Sequence, residues 1–257
     1  MDLGERALDA EEVEGTLQKL TSAFTIPIPS RWALLNESRV FWDVALSLAR
    51  LPGLASQPRG AGDPVLVLPG FSAGDGSTAA LRLFLRLLGH DARGWGLGTN
   101  GGDVSALLPR AIAETERCAT STGARVRLIG WSLGGYLARE VARDRPDLVE
   151  RVVTLGSPVV GGPKYTTAAR TFRMRGIDLD ALEAEVAERE KTPLRVPVTA
   201  IYSKRDGVVA WQACIDRCNP DVEHIEVFSS HVGLGFHAEV YALIAQRLAA
   251  TPAAAAA

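Results

Sequence analysis

The stretch "LIGWSLGGYLARE", Leu128 to Glu140, changes character at Ser132. Before it runs a short apolar segment of strand type, and after it an amphipathic segment with helical period. Gly130 and Gly134 flank the serine. A strand that gives way directly to a helix needs a sharp turn, and glycines on either side let the backbone make that turn without side-chain clashes. The serine hydroxyl then stands above the sheet at the positive end of the helix dipole. Two roles fit the position: a nucleophile, or a side-chain cap of the helix.

Working outward, the same alternation continues in both directions. "PVLVLPG" (64–70) reads as a buried strand and "STAALRLFLRLLG" (77–89) as a helix. A weak strand near "DARGWGL" follows, then a long helix from Val104 to Thr122 with Ala106, Leu107, Ile112 and Ala113 among its apolar positions. "RVRLIGW" (125–131) is the strand before Ser132, and "LGGYLAREVARDRP" the helix after it. "RVVTLGS" (151–157), "PVTAIYS" (197–203) and "EHIEVFSS" (223–230) give three more strands, and "HAEVYALIAQRLAA" a last helix. Strands alternating with helices imply right-handed crossovers and a mostly parallel sheet covered on both faces. Ligands of such sheets sit at the carboxyl ends of the strands.

A serine hydroxyl attacks only when a base takes its proton, and that base needs an orienting acid. Asp206 ends one strand and is followed by the turn residue Gly207, and His231 ends the last strand, again before glycines. Asp206 also suits an Asp-Gly turn former and His231 a packed loop histidine. The rivals are His237 for the base and Asp216 or Asp221 for the acid. An oxyanion would be held by the backbone N–H of Leu133, next after the serine, and by that of Phe71 in the loop "LPGFSAGDGST". Gly74 and Gly76 shape that loop; no P-loop lysine follows them.

Composition narrows the partners. The 257 residues are 47% hydrophobic and 23% charged with a formal net charge of -2, enough for one substantial core and without the basic face of a nucleic-acid binder. Cys118, Cys214 and Cys218 are too few for a disulfide scaffold and have no histidine at zinc-ligand spacing. Cys214 and Cys218 are read as ordinary thiols, with pairing as the alternative. The acidic start "MDLGERALDAEEVEGTLQKL" lacks the basic onset and apolar core of a secretory signal. With no apolar run long enough to cross a bilayer, the expected location is cytoplasmic.

Taken together, "VLVLPGF", "LIGWSLGGYLARE", "VTLGSP", "YSKRDGVV" and "SSHVGLGF" make the chain resemble the α/β-hydrolase family, and within it the bacterial lipase and esterase-like members. The resemblance implies a mostly parallel sheet of about six strands flanked by helices, with Ser132 as nucleophile, His231 as general base and Asp206 as orienting acid. It also implies Phe71 and Leu133 as oxyanion donors, no metal or organic cofactor, and a small-molecule ester or lipid substrate. The chain departs from the commonest pattern at Pro69, where many relatives carry histidine. Acyl transfer or thioester hydrolysis with the same three residues is the alternative enzyme, and a non-catalytic binding or membrane-surface module the alternative outside enzymes.

The expected organisation is an N-terminal helical segment and linker over 1–63, a hydrolase core over 64–250 and a disordered tail over 251–257. "VFWDVALSLARL" from Val40 reads as an amphipathic helix ended by Pro52 and Gly53, and 54–63 as a linker. Within the core, 159–195 interrupts the alternation as a cap. Leu179, Leu182 and Val186 at helical spacing fit either a lid with an apolar underside or a solvated helix on the sheet edge. Phe71, Trp131, Met174 and Trp211 are the large apolar side chains expected near the site or lid. The aromatic and aliphatic density around Trp32, Leu35, Phe41 and Trp42 must be covered by something. Packing on the hydrolase body is expected, with association to a membrane surface second.

Overall fold

Strand β1 (Pro64–Leu68) shows why the sheet lies in the middle of the molecule. Val65 and Val67 belong to one apolar cluster, Leu66 and Leu68 to another, and all four are buried. Period-two alternation with no polar face requires cover on both sides. In this computed structural model, residues 26–30, 37 and 51–250 are described. The order begins with helix α1 (Leu51–Ala55), β1, α2 (Ala79–Leu87), β2 (Asp91–Gly94) and α3 (Val104–Thr122). It continues through β3 (Val126–Trp131), α4 (Leu133–Asp144), β4 (Val149–Leu155), α5 (Ala169–Met174) and α6 (Leu179–Arg189), and closes with β5 (Val198–Tyr202), β6 (Glu223–Glu226) and α7 (Ala238–Ala249).

The six strands form one sheet in the order β2-β1-β3-β4-β5-β6, and every pairing is parallel. Helices α3 and α4 cover one face through Leu107, Ala111, Leu137 and Val141. Helices α1, α2 and α7 cover the other through Leu54, Leu81, Leu85, Val240 and Ile244. The chain steps from β1 out to β2, then returns across to β3, so the order reverses between β1 and β3. A crevice opens at such a switch point beyond the strand ends. The loop after β1 and Ser132 after β3 both lie there.

Several boundaries differ from the expected ones. Pro52 and Gly53 lie inside α1, because a proline's fixed φ is compatible with helix. The helix stops after Ala55, where the Ser56 hydroxyl and the Gln57 amide donate to the Gly53 carbonyl. The supposed linker is held down: Gly60 and Gly62 donate to the carbonyls of Leu88 and Gly89 behind α2. The last strand ends at Glu226, not at residue 230; Val227 adds one more bond to Tyr202, and Phe228 then turns out to solvent. His231 therefore sits in a loop after β6. In α3 the buried stripe is Leu107, Leu108, Ala111, Thr115 and Cys118, while Ala106 and Ala113 are exposed.

The interruption at 159–195 is helical, carrying α5 and α6. Asp178 caps α6 by accepting from the amides of Asp180 and Ala181. Its apolar side faces inward: Val186 packs with Leu133 and Tyr136, and Leu179 with Phe172. These contacts place the apolar side of the segment against the start of α4 and the loop after β1. The expected helix from Val40, most of the N-terminal segment and the tail 251–257 lie outside the described residues. Where that segment is described, Ile26 packs against the cluster of Val209, Ala210, Ala213 and Cys214, and Glu37 bonds to loops near His231.

Candidate active site

Ser132 occupies a backbone conformation that side chains rarely adopt, with φ 55 and ψ -125. Such strain costs of order 1–3 kcal/mol and persists only where the surroundings impose it. They do so through the glycines. A Cβ on Gly130 would lie 2.3 Å from the Gly134 carbonyl oxygen, and one on Gly134 would lie 2.3 Å from that of Leu68. A Cβ on Gly135 would come closer still to the Ser157 hydroxyl. Helix α4 thus starts hard against β1 and β3, and the residue that joins them is turned to positive φ. The Ser132 amide donates to Leu155 at 2.8 Å, and its carbonyl accepts from Gly135. Its hydroxyl makes no capping bond to the helix. The cap role is therefore not the one the side chain plays.

Asp206 and His231 meet at 2.6 Å, Oδ2 to Nδ1, and both are buried. The other carboxylate oxygen, Oδ1, accepts from the amides of Val208 and Val209. Asp206 thus forms its turn and fixes the histidine ring together. Burial disfavours charge on the imidazole, but the Asp206 carboxylate with its hydrogen bond, and Glu37 more weakly, outweigh it and raise the His231 pKa above the ordinary value. A neutral ring that keeps its proton on Nδ1 for Asp206 leaves the Nε2 lone pair as the base. The Trp131 indole N–H holds the His231 carbonyl at 3.2 Å.

Gly156, directly after β4, ties this pair to the serine. The preceding carbonyl, Leu155, takes the Ser132 amide. A Cβ on Gly156 would come within 3.0 Å of Asp206 Oδ2 and 3.1 Å of His231 Nδ1, at a φ of +54. Gly156→Ala is expected to destabilise the protein by about 1–3 kcal/mol through the positive φ. It should also push the Asp206–His231 pair apart. Thermal unfolding and an NMR titration of His231 check the two effects; an alanine variant parental in both would refute the packing argument.

The loop after β1 reaches the same place. A Cβ on Gly70 would lie 3.2 Å from that of Ser132. Buried Asn100 clamps the loop: its amide donates to the Pro69 carbonyl, its main-chain carbonyl accepts from Ser72, and its main-chain N–H donates to Ala73. Ser72 too has a positive φ, 58. Phe71 and Leu133 both line the cavity at Ser132. The Leu133 amide opens α4, where helical N–H groups have no intrahelical partner and point outward.

That cavity measures about 240 Å³ and its walls are mostly apolar, with Ser132, His231, Phe172 and Val209 among the residues that line it. A second space of about 630 Å³ lies under the cap and shares the wall formed by Leu133, Pro163 and Phe172. Of the four large apolar side chains singled out in the sequence, Phe71 and Trp131 line the first cavity. Met174 is exposed, and Trp211 stacks on Tyr202.

The rival residues do not line the cavity at Ser132. Asp216 binds Arg139 at 2.5 Å, Asp221 is exposed, and His237 stands at the start of α7. Cys214 and Cys218 are free thiols, the first buried and the second exposed. Glu190, Asp216 and Cys218 bring potential ligand atoms within 4.8 Å of one another. The two carboxylates, however, are already paired with Arg139 and Arg143 and bonded by Asn219. This network fastens the end of the cap to α4. Asn100 and Glu37 escaped the sequence reading: "TNGGD" carries only turn chemistry, and a glutamate in an apolar segment reads as a solvated face.

No protein-family model matches the sequence, and no curated protein matches it significantly. Solved structures do resemble it. A monoacylglycerol lipase of Paleococcus ferrophilus is 17% identical with a TM-score of 0.53, over 73% of this chain and 95% of that one. Est1E from Butyrivibrio proteoclasticus is 13% identical with a TM-score of 0.55, over 75% and 90%. The thioesterase domain of the curacin biosynthetic pathway is 14% identical with a TM-score of 0.50, over 76% and 93%. At such identities the likeness speaks of architecture, and it agrees with the sheet order and with the strand-to-helix turn at Ser132: this chain has the α/β-hydrolase fold.

Proposed function

We propose that the chain is a serine hydrolase of carboxylic esters. The observation that carries this reading is the buried Asp206–His231 pair at 2.6 Å beside a strained serine whose hydroxyl is not spent on the helix. In the proposed reaction Ser132 Oγ attacks the ester carbonyl while His231 Nε2 takes its proton. The oxyanion is held by the amides of Phe71 and Leu133. His231 then gives the proton to the departing alcohol, leaving an acyl-serine. Water, activated by the same histidine, adds to that acyl group and releases the acid.

The mostly apolar cavity supports a lipophilic acyl group in preference to a charged one, since no lysine or arginine stands in its wall to pair with a second carboxylate or a phosphate. Its modest volume, with the rings of Phe71 and Phe172 in its wall 4.9 Å apart between centroids, favours short and medium acyl chains. A panel of p-nitrophenyl esters from acetate to palmitate tests this, run beside the matching thioesters and with a competing alcohol. The expected result is fastest turnover on the shorter oxygen esters with free acid as product. Faster thioester cleavage, or transfer of the acyl group to the alcohol in preference to water, would move the reading to a thioesterase or acyltransferase.

No helix among the described residues is long and apolar enough to cross a membrane. The contacts of Ile26 and Glu37 with the body support packing of the N-terminal segment there over a purely interfacial role.

A further inference from the structure

The acid and the base arrive on separate loops, one after β5 and one after β6. Within the core these loops are joined by the Asp206–His231 contact and by the Ser203 hydroxyl, which donates to the Ser229 carbonyl at 2.6 Å. A third connection comes from outside the sheet. Glu37 Oε1 accepts from the amides of Gly207 at 3.0 Å and His231 at 3.1 Å, and Oε2 accepts from Val232 at 2.7 Å. Gly207 directly follows the acid, and His231 is the base itself. One carboxylate thus takes three main-chain N–H groups from both loops, and charge-assisted bonds of this kind are roughly twice as strong as neutral ones.

A water molecule or a neutral side chain could satisfy some of those donors, but neither would bring charge. Among the described residues, the charged groups that bear on the His231 ring are Asp206 and Glu37. We propose that Glu37 is a positioning residue for the Asp206–His231 pair: its carboxylate ties the two loops into one unit and sets a second negative charge near the imidazole. This assignment rests on the reading of Ser132, Asp206 and His231 given above. It makes the segment before the sheet part of the reaction apparatus, a role distinct from that of an anchor or a passive cover. Glu37 does not line the cavity at Ser132, so it acts on the base and not on the substrate.

The test compares Glu37→Gln and Glu37→Asp in the full chain, with Ser132→Ala as control, on p-nitrophenyl butyrate. Misplacing a reacting group by about an ångström costs up to about a hundredfold in rate, so Glu37→Gln is expected to lose about ten- to a hundredfold in kcat with KM nearly unchanged. Removing a negative charge disfavours the imidazolium, so the acidic limb of the kcat/KM profile should move to lower pH. The His231 ring, followed by NMR with labelled histidine, should titrate lower to match. Glu37→Asp keeps the charge but is one methylene shorter; it should retain the parental titration and recover part of the rate.

Parental kcat together with an unchanged His231 titration in Glu37→Gln would overturn the proposal. So would a lower melting temperature with kcat and titration unmoved, since that is a purely structural brace. If the parent turns over no ester, or if Ser132→Ala keeps the parental rate, the functional reading fails instead. The NMR titration then decides the Glu37 assignment by itself, because it needs no turnover.

Discussion

Under the proposed function, replacing Ser132 with alanine is expected to lower kcat/KM on a short p-nitrophenyl ester by at least about a thousandfold, because the members of such a triad act as a unit and the loss of one removes most of their joint effect. It leaves the melting temperature close to that of the parent. The second expectation separates the two roles the sequence allows. A serine that capped α4 through its side chain would cost about 1 kcal/mol when truncated, whereas here the hydroxyl makes no such bond. Any residual rate is expected to come from binding in the cavity and from the proposed oxyanion donors, which the substitution leaves in place. An alanine variant that is less stable but fully active would return Ser132 to the status of a cap and remove the nucleophile from the account.

Asp206→Asn is expected to fold and to lose about ten-thousandfold in kcat, as acids in this position generally do. The asparagine carbonyl can still accept from Val208 and Val209, so the turn survives. Its amide nitrogen then faces His231 Nδ1 and donates where the carboxylate accepted. The ring is pushed to the tautomer with its proton on Nε2, which cannot take a proton from serine. The pH dependence has a definite sign. In the parent, His231 titrates above the ordinary value of about 6.5, since burial of the ring is outweighed by Asp206 and, more weakly, by Glu37. A base must be neutral to act, so parental activity is expected to fall as the pH drops through that raised value. Without the carboxylate the limb of the residual activity moves to lower pH. Unchanged activity in this variant would remove Asp206 from the mechanism, and neither Asp216, held by Arg139, nor exposed Asp221 could replace it.

The parts of the fold legible in the sequence are those governed by local periodicity. The unbroken apolar run 64–68 and the switch at Ser132 required a covered sheet and a strand-to-helix turn, and both are present. Asp206 and His231 were legible as strand-end residues before glycines, although His231 lies five residues beyond the end of β6. Periodicity said less about rotation and ends. The face that α3 buries is set by β1 and α4, and Pro52 fits a helix wherever the turn before it does not need its N–H. Contacts between distant segments were not legible. The Asn100 clamp on the loop after β1 and the Glu37 clasp both depend on backbone groups brought together by the fold. No side-chain pattern announces a residue whose partners are main-chain amides.

The central claim, that Ser132 is the group acylated during turnover, is tested most directly by trapping. The full chain is incubated with a p-nitrophenyl alkylphosphonate, which a nucleophilic serine attacks with loss of nitrophenolate to leave a stable tetrahedral adduct, and the digest is read by mass spectrometry. The predicted result is a single adduct on the peptide that contains Ser132, forming quickly in the parent and far more slowly in Asp206→Asn. Absence of any adduct from a folded parent chain, or its appearance on a different serine, would contradict the account.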